Sequence, residues 1–401
     1  MNYKDTLSLL TSAEKFHINL GLERMQKLAQ IFDNPQDRFK IVHIAGTNGK
    51  GSVCAMLAKV LEENGFKTGL YTSPHIKKYT ERIKINFIDI SEDDFAKYTE
   101  LAEKTAKQNN ISLTEFEIIT MAAFLYFRDK EVDFAVMETG MGGRLDATNI
   151  IKKPVLSIIT SISLDHTDRL GISTEEISGE KAGIIKSETP VITAKNNAGR
   201  KIIEKKAKEF NSPVLFAEKS FELIDVKNNI FSNGKKDIKL SLKGINQGEN
   251  LALVIKACEY LNIKPDEALK DVVWQGRFEE IKGKNLVFDA AHNPNGTELL
   301  KQNLDLYYKG RKRAYLFGML DTKDYKSAIK NLFTNEDEIF VTDNFAHNAI
   351  KKEILIEEIK KQFKNANVKT LDIENAKNFI NYNFDGIKIC CGSFYLLSKI
   401  Y

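Results

Sequence analysis

Cysteine and tryptophan are scarce: four cysteines and one tryptophan occur in 401 residues, and Cys54, Cys258, Cys390 and Cys391 show no C-x-x-C spacing. That pattern excludes a disulfide framework and leaves reduced, mostly buried thiols as the expectation. Long apolar runs are missing too, and the opening MNYKDTLSLLTSAEKF carries charges where a signal peptide needs an apolar block. A cytoplasmic protein without a membrane span is expected. Charge of one sign is also lacking, since 59 basic residues face 55 acidic ones and the net charge is only +4. So small and dispersed an excess argues against a nucleic-acid or membrane surface, while small anionic ligands remain compatible. No internal repeat and no low-complexity segment is present.

What is there is a chain that is 42% hydrophobic and longer than one core usually organises, which predicts two domains. Strand-like runs at 41–45, 68–72, 133–138, 155–160, 190–193 and 213–217 alternate with helical patterns at 52–64, 92–108, 115–129, 175–186 and 198–209. Short alternating strands over 220–243 and a helix over 247–261 complete the first part. After Trp274-Gln275-Gly276-Arg277-Phe278 a new alternation begins, with strands near 286–289, 313–318, 338–341, 367–371 and 387–391. The rhythm predicts an α/β protein with two mostly parallel sheets: a large domain over 1–273, a linker over 274–280, and a smaller Rossmann-like domain over 281–401.

The run Gly46-Thr47-Asn48-Gly49-Lys50-Gly51-Ser52 follows the first strand and opens a helix. Glycines there let backbone N–H groups point at phosphate oxygens, Lys50 offers a mobile charge, and a hydroxyl can complete a magnesium shell. The spacing departs from G-x-x-x-x-G-K-[ST], because Gly46 lies three residues before Gly49 and the hydroxyl is delayed to Ser52. The strand–loop–helix context favours nucleoside triphosphate binding over a plain glycine-rich turn.

Four further segments carry chemistry. Glu138, at the end of the strand 133–138, is placed to hold magnesium, and Gly140 to Asn149 follow with Arg144 and Asp146 inside a glycine-rich loop. Taken alone, that loop also reads as a turn closed by an Arg–Asp pair. Ser161 to Asp168 presents His166 between Asp165 and Asp168 after the next strand, with metal binding, phosphate contact and a structural role all open. Lys181 lies in the apolar helical stretch Glu180 to Lys186, where a solvated charge is the plain alternative. Asp289-Ala290-Ala291-His292-Asn293-Pro294 turns a strand into a helix that Pro294 is suited to open.

Together with Gly21 to Met25 and Thr72-Ser73-Pro74-His75, this ordered set resembles the folylpolyglutamate synthase and dihydrofolate synthase family of the Mur ligase superfamily, over nearly the whole chain. The resemblance implies an ATP-dependent amide ligase: a substrate carboxylate takes the γ-phosphoryl group, and the amine of L-glutamate attacks the acyl phosphate. Acceptors would be dihydropteroate, folyl polyglutamates, or both. The resemblance further implies that Thr47, Asn48, Gly49, Lys50, Gly51 and Ser52 cradle ATP and that Asn250, Arg277, Asp289 and His292 contact the nucleotide. Ser73, Glu138 and His166 would arrange magnesium, with Lys50, His166 and Lys181 the catalytic set and Lys181 carbamylated. Phe116, Asp146 and Ala147 match pterin-binding positions, and Arg144 joins them on the substrate side. ATP and magnesium would sit at the cleft of the two domains of a monomer, and domain closure would exclude water.

Three positions depart from the family pattern: Asn246 in place of histidine, Gln275 in place of proline, and Ala290 in place of glycine, the last able to alter the turn that aims His292. The segment Asp343 to Ala349 is atypical, His347 receives no role, and His17, His43 and His75 are expected to be structural or solvent-facing. Two rivals stand beside the ligase. A cell-wall Mur ligase would need a substrate-nucleotide domain ahead of the phosphate loop, for which the stretch before Gly46 is too short. A P-loop switch that hydrolyses ATP without forming a bond would leave the carboxylate, histidine and lysine blocks unexplained.

Overall fold

A computed structural model of the chain describes residues 1–13, 21–217, 220–265 and 267–401. His17 lies outside them. The chain divides into two compact units: Met1–Ile162 with Ile172–Ser220 and Glu249–Leu269, and Ser163–Gly171 with Phe221–Gly248 and Lys270–Tyr401.

The first unit is built on eight strands, β1 (Lys40–Ala45), β2 (Thr68–Tyr71), β3 (Ile83–Ile85), β4 (Ile88–Asp89), β5 (Phe134–Glu138), β6 (Leu156–Ile159), β7 (Val191–Ala194) and β8 (Val214–Ala217). Their order is β4-β3-β2-β5-β1-β6-β7-β8, parallel from β2 to β8, with β3 and β4 joining antiparallel at one edge. Central strands covered on both faces read as continuous apolar runs, as in the five buried residues from Ile41 to Ala45. The helix Lys50–Glu63 is buried over most of its length and packs on β2 and β5. The helix Glu115–Asp129 begins with a capping box between Thr114 and Glu117 and buries every residue from Glu117 to Phe127. Its Phe124 and Phe127 join Tyr71, Phe95 and Tyr98 in the core on that side of the sheet.

The second unit carries a three-stranded antiparallel sheet, β9 (Glu222–Asp225), β10 (Ile230–Ser232) and β11 (Asp237–Lys239). It also carries six strands, β12 (Glu279–Ile281), β13 (Leu286–Asp289), β14 (Arg313–Phe317), β15 (Glu338–Val341), β16 (Asn367–Thr370) and β17 (Ile387–Cys391), in the order β12-β13-β17-β14-β15-β16. Only β12 runs antiparallel to its neighbour. All four cysteines are free and buried, and burial raises the Cys390 and Cys391 thiols, so they behave as core side chains.

The structure adds elements that the apolar rhythm does not announce: the helices Tyr3–Ala13 and Glu23–Ile31, the β3–β4 hairpin, and β12. The hairpin turns on Asn86 and Phe87, both at positive φ (48° and 58°). That geometry suits a two-residue hairpin turn, but Asn-Phe lacks the glycine that usually signals one. Among the described residues no helix is long and apolar enough to cross a membrane.

Candidate active site

In a parallel sheet the loops at the C-terminal ends of the strands form the ligand edge. In the first unit those ends carry Gly46–Gly49 after β1, Thr72–Ser73 after β2, Glu138 to Asn149 after β5, and Thr160–Ser161 after β6. The phosphate loop is stitched to the end of β6. The Thr47 N–H donates to Ser161 O at 2.8 Å, and Asn48 O accepts from the hydroxyls of Thr160 (2.7 Å) and Ser161 (3.2 Å). Gly49, at φ +89°, ends the loop, and a Cβ there would collide with the side chain of Asn250. This accounts for a glycine at that position and places Asn250 beside the loop. The Lys50 ammonium folds back on its own loop, donating to Gly46 O at 3.1 Å and Thr47 O at 3.3 Å. The buried Lys181 donates to the same Gly46 carbonyl at 2.8 Å. Two lysines far apart in sequence therefore converge on one peptide.

Glu138 is 4% exposed and accepts from the Ser73 N–H at 3.1 Å. Ser73 and Glu138 supply hard oxygen donors, which suits magnesium, an ion that takes most of its shell from water and phosphate rather than from protein. Among the described residues no three His, Cys, Asp or Glu side chains form a ready-made metal cage. His75, beside Ser73, accepts at Nδ1 from Arg82 Nε at 2.9 Å, and burial followed by the Arg82 charge pushes it down to about 3. It is a neutral structural group.

The loop after β5 is internally braced. Asp146 accepts at Oδ2 from the Gly140 and Met141 N–H groups (2.9 and 3.0 Å) and at Oδ1 from the Thr148 N–H and hydroxyl (3.0 and 2.5 Å). Burial pushes its carboxyl up, opposed by these bonds. The Phe116 ring packs where a Cβ on Gly140 would sit, and Ala147, next to Asp146 in sequence, is buried. Arg144 points elsewhere: its guanidinium donates to Glu180 Oε1 at 2.8 and 3.0 Å, and its N–H to Glu180 O at 2.8 Å. Asn149 Nδ2 donates to Arg144 O and Gly183 O at 2.9 and 3.1 Å. The loop is thereby tied to the helix Thr174–Ala182, which carries Lys181.

The second unit gathers another group. Asp165 Oδ1 accepts from Lys323 Nζ at 2.6 Å, and Oδ2 accepts from Asn293 Nδ2 at 3.2 Å, 3.7 Å from His292 Nε2 and 3.9 Å from His166 Nε2. His166, at φ +50°, has Nε2 3.3 Å from Lys323 Nζ. Burial opposes ionisation of Asp165, but His292, Lys323 and His166 outweigh it and hold the carboxyl well below the usual carboxylate range. A depressed carboxylate contributes stability that is present above the unfolded value, near 4, and lost as pH falls below it. The melting-temperature gap between wild type and Asp165→Asn is therefore expected to be widest near neutrality and to shrink below about pH 4. A gap that stays constant from pH 7 to pH 3 would contradict this ion-pair account.

Asp289 accepts from the Phe278 and Ala291 N–H groups, both at 2.8 Å, and so sets the loop that holds Arg277 and the turn that holds His292. Ala290 does not adopt positive φ, so the alanine fits the turn without strain, and its carbonyl lies 2.8 Å from His292 Nδ1. Arg277 lies 4.7 Å over the Phe394 ring. Lys323 was absent from the sequence candidates. Its only sequence signal is a place in the polar loop after β14, the kind of position where ligand groups gather in parallel sheets.

Comparison with known proteins identifies the arrangement. Residues 44–258 match the Mur ligase middle domain and residues 276–385 the Mur ligase glutamate ligase domain. The chain is 35% identical over 383 residues to the dihydrofolate synthase/folylpolyglutamate synthase of Bacillus subtilis, covering 88% of each chain. It superposes on Escherichia coli FolC in complex with DHPP and ADP with a TM-score of 0.85 at 27% identity, covering 100% of this chain and 97% of that one. The Yersinia pestis bifunctional folylpolyglutamate synthase/dihydrofolate synthase with Mn, AMPPNP and L-glutamate bound gives 0.83 at 28% identity, covering 100% and 97%. With a phosphate loop, a buried carboxylate and a buried lysine at one sheet edge, and relatives of this length and identity, the chain belongs to the dihydrofolate synthase/folylpolyglutamate synthase family of Mur ligases.

Proposed function

We propose that the protein is an ATP-dependent ligase that joins L-glutamate to dihydropteroate and to folyl polyglutamates through an acyl phosphate. The observation that carries this reading is the convergence of Lys50 and Lys181 on Gly46 O beside the loop that follows Glu138. A carboxylate is a poor electrophile. Phosphorylation supplies the leaving group, and cationic clamps stabilise the charge that develops on the transferred phosphoryl group. In this reading Thr47 to Ser52 and Asn250 hold ATP, with Arg277, Asp289 and His292 as further nucleotide contacts. Ser73 and Glu138 hold magnesium, and His166 joins them. When bound, magnesium neutralises phosphate charge and orients the γ-phosphoryl group.

Lys181 acts as its carbamate. Carbamylation leaves one N–H on Nζ that can still donate to Gly46 O, and it adds two oxygens that share one negative charge and suit a magnesium shell. Phe116 and Ala147 line the acceptor, Asp146 shapes the loop around it, and Arg144 acts through Glu180. The ATPase part spans 1–273 and the glutamate-ligase part 281–401, joined at 274–280, in a cytoplasmic monomer that needs neither nucleic acid nor membrane.

The test is ATP-dependent incorporation of labelled glutamate into dihydropteroate in one reaction and a reduced folate monoglutamate in the other. Incorporation with both is the expected result, and with one alone it identifies the working acceptor. Incorporation with neither, by a protein that still binds ATP and magnesium, rejects the folate assignment.

A further inference from the structure

We infer that Thr148 and His43 form a positioning pair that sets the acceptor wall in register with the phosphate loop, an inference that rests on the folate-acceptor reading above. Thr148 Oγ1 lies 2.8 Å from His43 Nε2 and 2.5 Å from Asp146 Oδ1, and both His43 and Thr148 are fully buried. Both Asp146 oxygens already accept from backbone N–H groups, so the Thr148 hydroxyl donates to Oδ1 and accepts from the Nε2–H of His43. The histidine is neutral: burial, then the charge of Lys186, pushes it down to about 3. The direction of the chain His43 to Thr148 to Asp146 is thereby settled.

The two ends of this chain explain its use. His43 sits in β1, three residues before Gly46, in the strand that launches the phosphate loop. Asp146 gathers the Gly140 and Met141 amides, Phe116 packs against Gly140, and Ala147 lies between Asp146 and Thr148. Beyond the pairing of β1 with β5, one hydroxyl therefore links the residues assigned to the acceptor to the strand that positions ATP. In-line attack requires the acceptor carboxylate to lie within about 3–3.5 Å of the γ-phosphorus. A loop free to shift by an ångström would lose that alignment even with every contacting residue in place.

The test compares Thr148→Val, which keeps shape but removes both hydrogen bonds, with Thr148→Ser, which keeps the hydroxyl. Thr148→Val is expected to raise the KM for dihydropteroate about tenfold or more while ATP affinity stays within about twofold, and Thr148→Ser to restore the acceptor KM to within about twofold. Hydrogen exchange of the Gly140 and Met141 amides should quicken about tenfold in Thr148→Val, with the Thr47 amide unchanged. His43→Leu should reproduce these shifts and add little on top of Thr148→Val, and it serves as the deciding variant if Thr148→Val folds poorly. An acceptor KM within twofold of wild type, equal shifts for ATP and acceptor, or failure of Thr148→Ser to rescue would overturn the inference. If the wild-type protein joined glutamate to neither acceptor, the proposed function would fall. Unchanged exchange at Gly140 and Met141 would independently remove Thr148 as the organiser of the loop.

Discussion

Replacing Lys50 with alanine is expected to lower the turnover of glutamate incorporation by about a thousandfold, about 4 kcal/mol of transition-state stabilisation, while the protein stays folded. In the structure the Lys50 ammonium is held by two carbonyls of its own loop, Gly46 O and Thr47 O. These are neutral acceptors that a phosphate oxygen outcompetes, because its negative charge adds an ion-pair attraction that a carbonyl dipole lacks. In the proposed function the lysine is thus parked where the phosphates would arrive. Removing it leaves the loop backbone intact, since the loop is fastened through Thr47 N–H and Asn48 O to Ser161 and Thr160 rather than through the lysine. The loss should therefore appear in ATP use and not in the melting temperature. Steady-state incorporation beside a thermal melt makes the check, and normal ligation by the variant would show that the phosphate-loop assignment is wrong.

Replacing Lys181 with alanine should cost a comparable factor, about a hundredfold to a thousandfold, and here the chemistry of the loss can be read as well. The lysine is 4% exposed and fixed to Gly46 O, so it is not a solvated surface charge. If the working group is a carbamate, a small carboxylic acid such as acetate supplies the missing oxygens and restores part of the activity of Lys181→Ala in a concentration-dependent way. Wild-type activity should also fall when bicarbonate is stripped from the buffer and recover when it is returned. Rescue by a small amine instead of an acid would identify the plain ammonium as the working form. Turnover equal to wild type in a folded Lys181→Ala protein would take the residue out of the mechanism.

The fold was readable where the apolar period is strong and unreadable where geometry is made by the chain's return on itself. β1, β5, β6, β7, β13, β14 and β17 lie within a residue or so of the runs that announce them, because central parallel strands are covered on both faces and must be apolar throughout. The β3–β4 hairpin escapes notice because its turn uses Asn86 and Phe87 in place of a glycine pair. Site residues divide in the same way. The places of Lys50, opening the helix after β1, and of Glu138, closing β5, are legible from the loop motif and the strand run. The bonding of Asp146 and Asp289 is not, since each carboxylate accepts from backbone amides whose approach depends on how the loop closes. Lys323 carries no motif, and only folding brings it to Asp165 across 158 positions of sequence.

By itself, then, the amino-acid order determined the α/β alternation, the phosphate loop and the family, because periodic burial and a run of glycines around a lysine are local facts that need no partner. Tertiary structure alone decided which charges meet: Lys181 on the carbonyl of Gly46, Asp165 among His166, His292 and Lys323, and Asp146 reaching β1 through Thr148 and His43. Hydrogen bonds and ion pairs act over a few ångströms between residues separated by tens to hundreds of positions. Their energies are set by burial and angle, and neither exists until the sheet has formed.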